Sequence, residues 1–179
     1  MACDISLGRA IKCKDSVGGI AWVGFVNNGD LTGVTYDGTN TDVIETVTGT
    51  PTAYIWKTKE GSTFTENIVS SRENGTTYYE QVLELKFPNI TAADHKQIKL
   101  LAWGMPLVVV GDNAGNIFIA GLERGMDVTG GTIVRGTALG DMSGYTLTLS
   151  GMEQIPANLM EATDFTTLAT AGFTVTQGS

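Results

Sequence analysis

The chain has 179 residues, 19 acidic and 11 basic side chains for a formal charge of -8, and 42% hydrophobic content, which suits one domain with one core and leaves too little for two. Only 17% of residues are charged and the balance is acidic, so a surface that seeks out phosphate backbones is not expected, although an acidic one facing DNA would repel it. The 23 glycines and many threonines predict short strands joined by tight turns.

Residues 1–18 alternate poorly and carry Asp4, Arg9, Lys12, Lys14 and Asp15 among isolated apolar side chains. They read as an arm ordered by a neighbour, with a frayed terminus as the alternative. Cys3 and Cys13 are the two cysteines; with no neighbouring His and no CxxC spacing they predict reduced thiols and neither a zinc site nor a disulfide framework. The first residues lack the apolar run of a secretory signal, and nowhere is there a run of the ~20 apolar residues a membrane-spanning helix needs, so no membrane insertion is expected.

From Gly19, the sequence IAWVGFV predicts an apolar strand ended by the turn formers Asn27, Asn28, Gly29 and Asp30. Residues 34–36, 43–47 and 53–57 predict further short strands, in outline a meander. Over 63–87, Phe64, Glu66 and Ile68, then Tyr79, Gln81, Leu83, Leu85 and Phe87, hold a period of two interrupted at Arg72, Glu73, Asn74 and Gly75. That is one long hairpin. Its polar tip, 70–77, projects from the core, either as a solvated loop or as an assembly contact.

One segment has helical character. Thr91 stands where an N-cap belongs, with Asp94 three residues on, and Ile98, Leu101 and Ala102 recur at helical spacing before Gly104 and Pro106. A helix over 91–103 is therefore expected, laid against the sheets. After it, 106–110 and 117–120 predict a hairpin around a turn rich in Asp and Asn, which lacks the ligand spacing and terminal Glu of an EF-hand. Glycines 130, 131, 136, 140 and 144 then punctuate short extended pieces until 145–149 alternates as a strand. The glycine-rich stretch has no GxxxxGK[ST] and opens no helix, so turns and bulges are expected of it. In this reading 1–18 is an arm, 19–157 a single β-sandwich domain with one helix, and 158–179 a C-terminal extension that adds an edge strand near 171–175, in this copy or the next.

Catalytic signatures are thin. His95, the single histidine, lies between Asp94 and Lys96 on the polar side of the expected helix, with no nucleophile motif to serve. Acidic residues are scattered, and HExxH is absent. Trp22, Trp56 and Trp103 have the rings to stack on sugars, but each lies in an apolar stretch and is read as core. Neither an enzyme nor a cofactor is expected.

The capped helix 91–103, the hairpin PLVVVGDNAGNIFIAG, the run GTALGD leading into GYTLTL, then Glu153, Pro156 and Ala157, together resemble the phage tail tube (major tail) proteins over about residues 63–157. The resemblance implies a β-sandwich flanked by one helix, six copies joining their sheets into a barrel, and rings stacking into a tube that conducts DNA without binding it tightly. It implies as partners the chain itself and other virion tail proteins, with assembly in the host cytoplasm and residence in the virion. The tip, with Arg72, Glu73, Asn74 and Gly75, and the arm, with Arg9, Lys12 and Lys14, would then contact the adjacent ring. A capsid decoration or head-tail connector protein, or a glycan-binding β-module, is the alternative.

Overall fold

The runs with a period of two are strands in the computed structural model, which describes residues 8–9 and 17–178. β1 (Ile20–Val26), β2 (Leu31–Tyr36), β3 (Val43–Gly49) and β4 (Thr52–Lys57) are followed by the long hairpin of β5 (Thr63–Ser71) and β6 (Thr76–Pro88). The helix α1 (Ala92–Trp103) leads to β7 (Leu107–Asp112), β8 (Ile117–Ala120), β9 (Asp127–Arg135) and β10 (Ser143–Glu153). β11 (Asn158–Met160), a 3-10 turn at Thr167–Ala169 and β12 (Thr174–Gln177) complete the order. The fold is mainly β with one helix.

Eight strands form one sheet in the order β12-β4-β1-β7-β8-β11-β3-β2, and four form another in the order β5-β6-β10-β9. β7 explains how they pack. Its run LVVVG is apolar at every step because both faces are covered: Val108 and Val110 enter one core, Leu107 and Val109 the other. The first core lies between the sheets, where Val23 and Phe25 of β1 meet Leu83 and Leu85 of β6, Leu147 and Leu149 of β10, and Ile98 of α1. A register shift between Ile20 and Trp22 swings Ile20 to the same side as Val23. In the second core Ile44 and Val47 of β3 meet Ala53 and Ile55 of β4, from opposite flanks of the strand order, so the large sheet curls about its own interior. Leu168, Ala171 and Phe173 fill that interior from the segment around the 3-10 turn.

The helix forms as its caps require. Thr91 is extended, and its hydroxyl accepts the Asp94 N–H at 3.1 Å while donating to the Asp94 carboxylate at 2.6 Å. Gly104 closes the C-terminal end in an extended conformation, φ -97, its N–H returning to Leu100 O. Ile98 is the buried anchor, worth about 1.5–3 kcal/mol of burial. Ala102, expected on the same face, is exposed.

Several expectations change. The meander fails at β4, which pairs with β1 and not with β3, so only β2 and β3 form a hairpin there. The glycine-punctuated stretch contains a full nine-residue strand, β9, and β10 extends to eleven residues, beyond 145–149 on both sides. Residues 158–179 are built into the large sheet: β11 lies inside it, parallel to β3, and β12 is its edge beside β4, also parallel. Trp103, read as core, is 74% exposed.

Candidate assembly surface

Among the described residues, the four-stranded sheet ends on both sides in a nine-residue strand, β5 and β9, that is hydrogen-bonded to no further strand. Such edges usually carry proline or inward charges, or are covered. Neither strand contains proline; β5 turns one charge inward, Glu66, and each strand exposes isoleucine, Ile68 on β5 at 69% and Ile133 on β9 at 53%. Ile68 is registered with Tyr79, and Ile133 with Tyr145, on the side of the sheet that carries Leu83 and Leu147. Both isoleucines thus continue the apolar side of this sheet at opposite borders.

The other side of this sheet sets charged and hydroxyl side chains around Val82, Val134 and Met152. Alternation places Glu80, Glu84 and Lys86 of β6 opposite the buried Gln81, Leu83, Leu85 and Phe87. Thr65 on β5, Thr146 and Thr148 on β10 and Thr132 on β9 share that outward side. With Asp127 at the start of β9 registered to Ser150, the face is threonine-rich and net acidic.

Two of the four crossovers between the sheets, β8–β9 and β10–β11, are held by inward polar side chains. Gln81 Nε2 donates to Glu66 Oε1 at 2.9 Å, and Gln81 Oε1 accepts the Gly121 N–H at 2.8 Å, fixing the start of the β8–β9 crossover. Glu66 Oε1 also accepts the Ala157 N–H at 2.7 Å, fixing the β10–β11 crossover. Glu153, 2% exposed, accepts the Arg124 N–H on Oε1 at 3.0 Å, while its Oε2 is buried without a hydrogen-bond partner. Burial raises its carboxyl above the usual range, and the charge of Glu123 adds to this; the Arg124 and Glu123 N–H groups pull the other way. Gly125 in that crossover has φ +77, and a Cβ there would meet Met105 O at 2.5 Å.

Comparison of the chain with protein-family models, with curated proteins and with solved structures finds no match.

Arg72, Glu73, Asn74 and Gly75 come together as the exposed turn between β5 and β6. Gly75 takes φ +62, Asn74 N–H donates to Ser71 Oγ at 3.3 Å, and the Ser70 and Thr77 hydroxyls meet at 2.9 Å. Arg9 is exposed; Lys12 and Lys14, like Cys3 and Cys13, lie outside the described residues. His95 is exposed as expected, its Nδ1 a long 3.4 Å from the Tyr145 hydroxyl. The Asp112 carboxylate, in the turn rich in Asp and Asn, is occupied by the turn itself, accepting from Ala114 N–H at 2.9 Å and Asn116 N–H at 2.7 Å. Among the described residues no three His, Cys, Asp or Glu side chains converge as a metal site requires, and no helix is long and apolar enough to cross a membrane.

Two surface features escaped the sequence. The 136–142 loop is held by the Asp141 carboxylate, which accepts Thr137 and Ala138 N–H groups at 2.8 Å each and is thereby pushed below its usual pKa, and the loop presents a fully exposed Leu139. Along α1, Leu100 and Trp103 are exposed, with the Lys99 ammonium 4.7 Å from the Trp103 ring centroid. Spacing carried that signal: at five residues from Ile98, Trp103 sits about 140° around the helix from the buried face.

Proposed function

We propose that this chain is a self-assembling structural subunit whose copies join edge to edge through the four-stranded sheet into a ring, and whose rings stack as a phage tail tube that conducts DNA. The observation that carries the reading is the pair of open edges. Each strand of the β5-β6-β10-β9 sheet is antiparallel to its neighbour, so β5 and β9 run in opposite directions. A copy related by rotation alone then sets its β5 antiparallel to β9 of the first, and the sheet continues without either copy being inverted. Ile68 of one copy and Ile133 of the next would both be covered at that seam.

The acidic, threonine-rich outward face supports the same reading. Lining a conduit, Glu80 and Glu84 repel phosphate, so that DNA slides without adhering. The hairpin tip at 72–75 and the arm with Arg9, Lys12 and Lys14 are then the contacts between rings. Function on this account is geometric and requires neither a catalytic group nor a cofactor; its partners are other copies and other virion tail proteins.

Negative-stain microscopy of the purified full chain tests the proposal. Rings or tubes with a central channel are the expected result. A monodisperse monomer at high concentration, unchanged on seeding, overturns it.

A further inference from the structure

We infer that the trough between α1 and the β4–β12 flank of the large sheet is a binding site for a neutral oligosaccharide. Two adjoining cavities of about 670 and 530 Å³ are lined by α1 on one side and by β4, the end of β1 and β12 on the other. They share Tyr54, Trp56 and Gln97, so they form one channel running from Asn89 at the start of α1 to Gly104 and Pro106 past its end. Each volume falls in the range of small-molecule sites, roughly 300–1,000 Å³.

The lining selects the ligand. Tyr54, 42% exposed, and the half-buried Trp56 give the trough an aromatic floor. Trp56 is held by edge contacts to Phe25, with centroids 5.9 Å apart at 84°, and to Phe87, 5.0 Å apart at 66°. A ring fixed in this way loses little freedom on binding. The polar groups are mostly carboxamides, Asn27, Asn28, Asn89, Gln97 and Gln177, which both donate and accept and so match the hydroxyls of a sugar. Charge is confined to one end and balanced, with one Lys57 and one Asp94. Aromatic faces with amides and no net charge suit a neutral polyhydroxylated chain better than an anionic one.

Asn89, with φ 68°, turns the chain from β6 toward α1 and brings its carboxamide to the mouth of the trough.

The test is fluorescence titration of the full chain, carrying Trp103→Phe so that the exposed indole does not report, with maltohexaose, cellohexaose and chitohexaose. Saturable change in tryptophan emission with at least one of them is expected, weakened about tenfold by Tyr54→Ala, the loss of one stacking ring. Gln97→Ala, on the exposed face of α1, is expected to weaken binding in the same direction, with circular dichroism melts confirming that both variants fold. No saturable response to any of the three sugars overturns the inference. A response that survives both substitutions overturns it as well, as does cross-linking of Tyr54→Cys between copies, which would place protein in the trough.

Discussion

The Trp22 indole occupies the space that a side chain at Gly111 would need. The two residues are cross-strand partners on β1 and β7, and a Cβ built on Gly111 falls against the ring atoms of Trp22. The indole has little room to retreat, because Phe165 packs edge-on against it at 5.9 Å and 81°. Gly111→Ala is therefore expected to destabilise the chain by about 1–3 kcal/mol, read as a lower urea midpoint at unchanged slope. An unchanged midpoint would mean that the second core yields more readily than its packing indicates.

Glu153→Gln should stabilise the protein at neutral pH. The carboxyl is raised by burial, so its charged form is disfavoured in the folded state relative to the unfolded chain. For an acid with a raised folded pKa, the penalty is fully present above that pKa. It fades as pH falls through it toward the ordinary value of 4.5, below which both states are protonated. The advantage of the Gln variant is thus expected at pH 7 and should vanish on acidification. Urea denaturation of both proteins between pH 4 and pH 8 measures it; a difference that grows toward acid would reverse the assignment.

Ile68→Lys and Ile133→Lys separate assembly from folding. Both side chains are exposed on edge strands, so each substitution should move the unfolding midpoint by no more than about 0.5 kcal/mol. In a seam between copies the same ammonium would be buried against an apolar neighbour, and rings should fail to form in either variant. Sedimentation velocity with microscopy reads both effects; normal rings from both variants would place the seam elsewhere.

The hairpin tip separates stacking from ring closure. Arg72→Ala combined with Glu73→Ala removes the charged pair from the exposed turn and leaves the β5–β6 ladder untouched. Rings are expected to persist while tubes shorten, visible as a changed length distribution in micrographs. Tubes of unaltered length would remove the tip from the contact between rings.

Much of the fold was legible locally. The period of two over 63–87 and the interruption at 72–75 predict the β5–β6 hairpin almost residue for residue, because alternation and turn chemistry act between near neighbours. The α1 cap was legible for the same reason: Thr91 and Asp94 complete it between themselves. β9 was hidden because its glycines read as turns, whereas Gly131 is needed for close approach: a Cβ there would meet Thr146 O at 2.7 Å. The resemblance in the sequence pointed to assembly through sheet edges and assigned the tip and the arm to the contact between rings; it named no residue on an edge strand, and the exposed isoleucines of β5 and β9 emerge only from the strand order.

By itself, then, the sequence determined a mainly β chain with one capped helix, one long hairpin and an acidic, weakly charged surface. Tertiary structure alone decided that β4 lies beside β1, that β11 and β12 enter the large sheet in parallel, that β5 and β9 border the four-stranded sheet with no further strand among the described residues, and that a trough forms beside α1. The reason is physical. Strand formation responds to alternation within a few residues, but the choice of neighbour depends on which faces remain unburied once the whole chain has collapsed, and no local stretch carries that information.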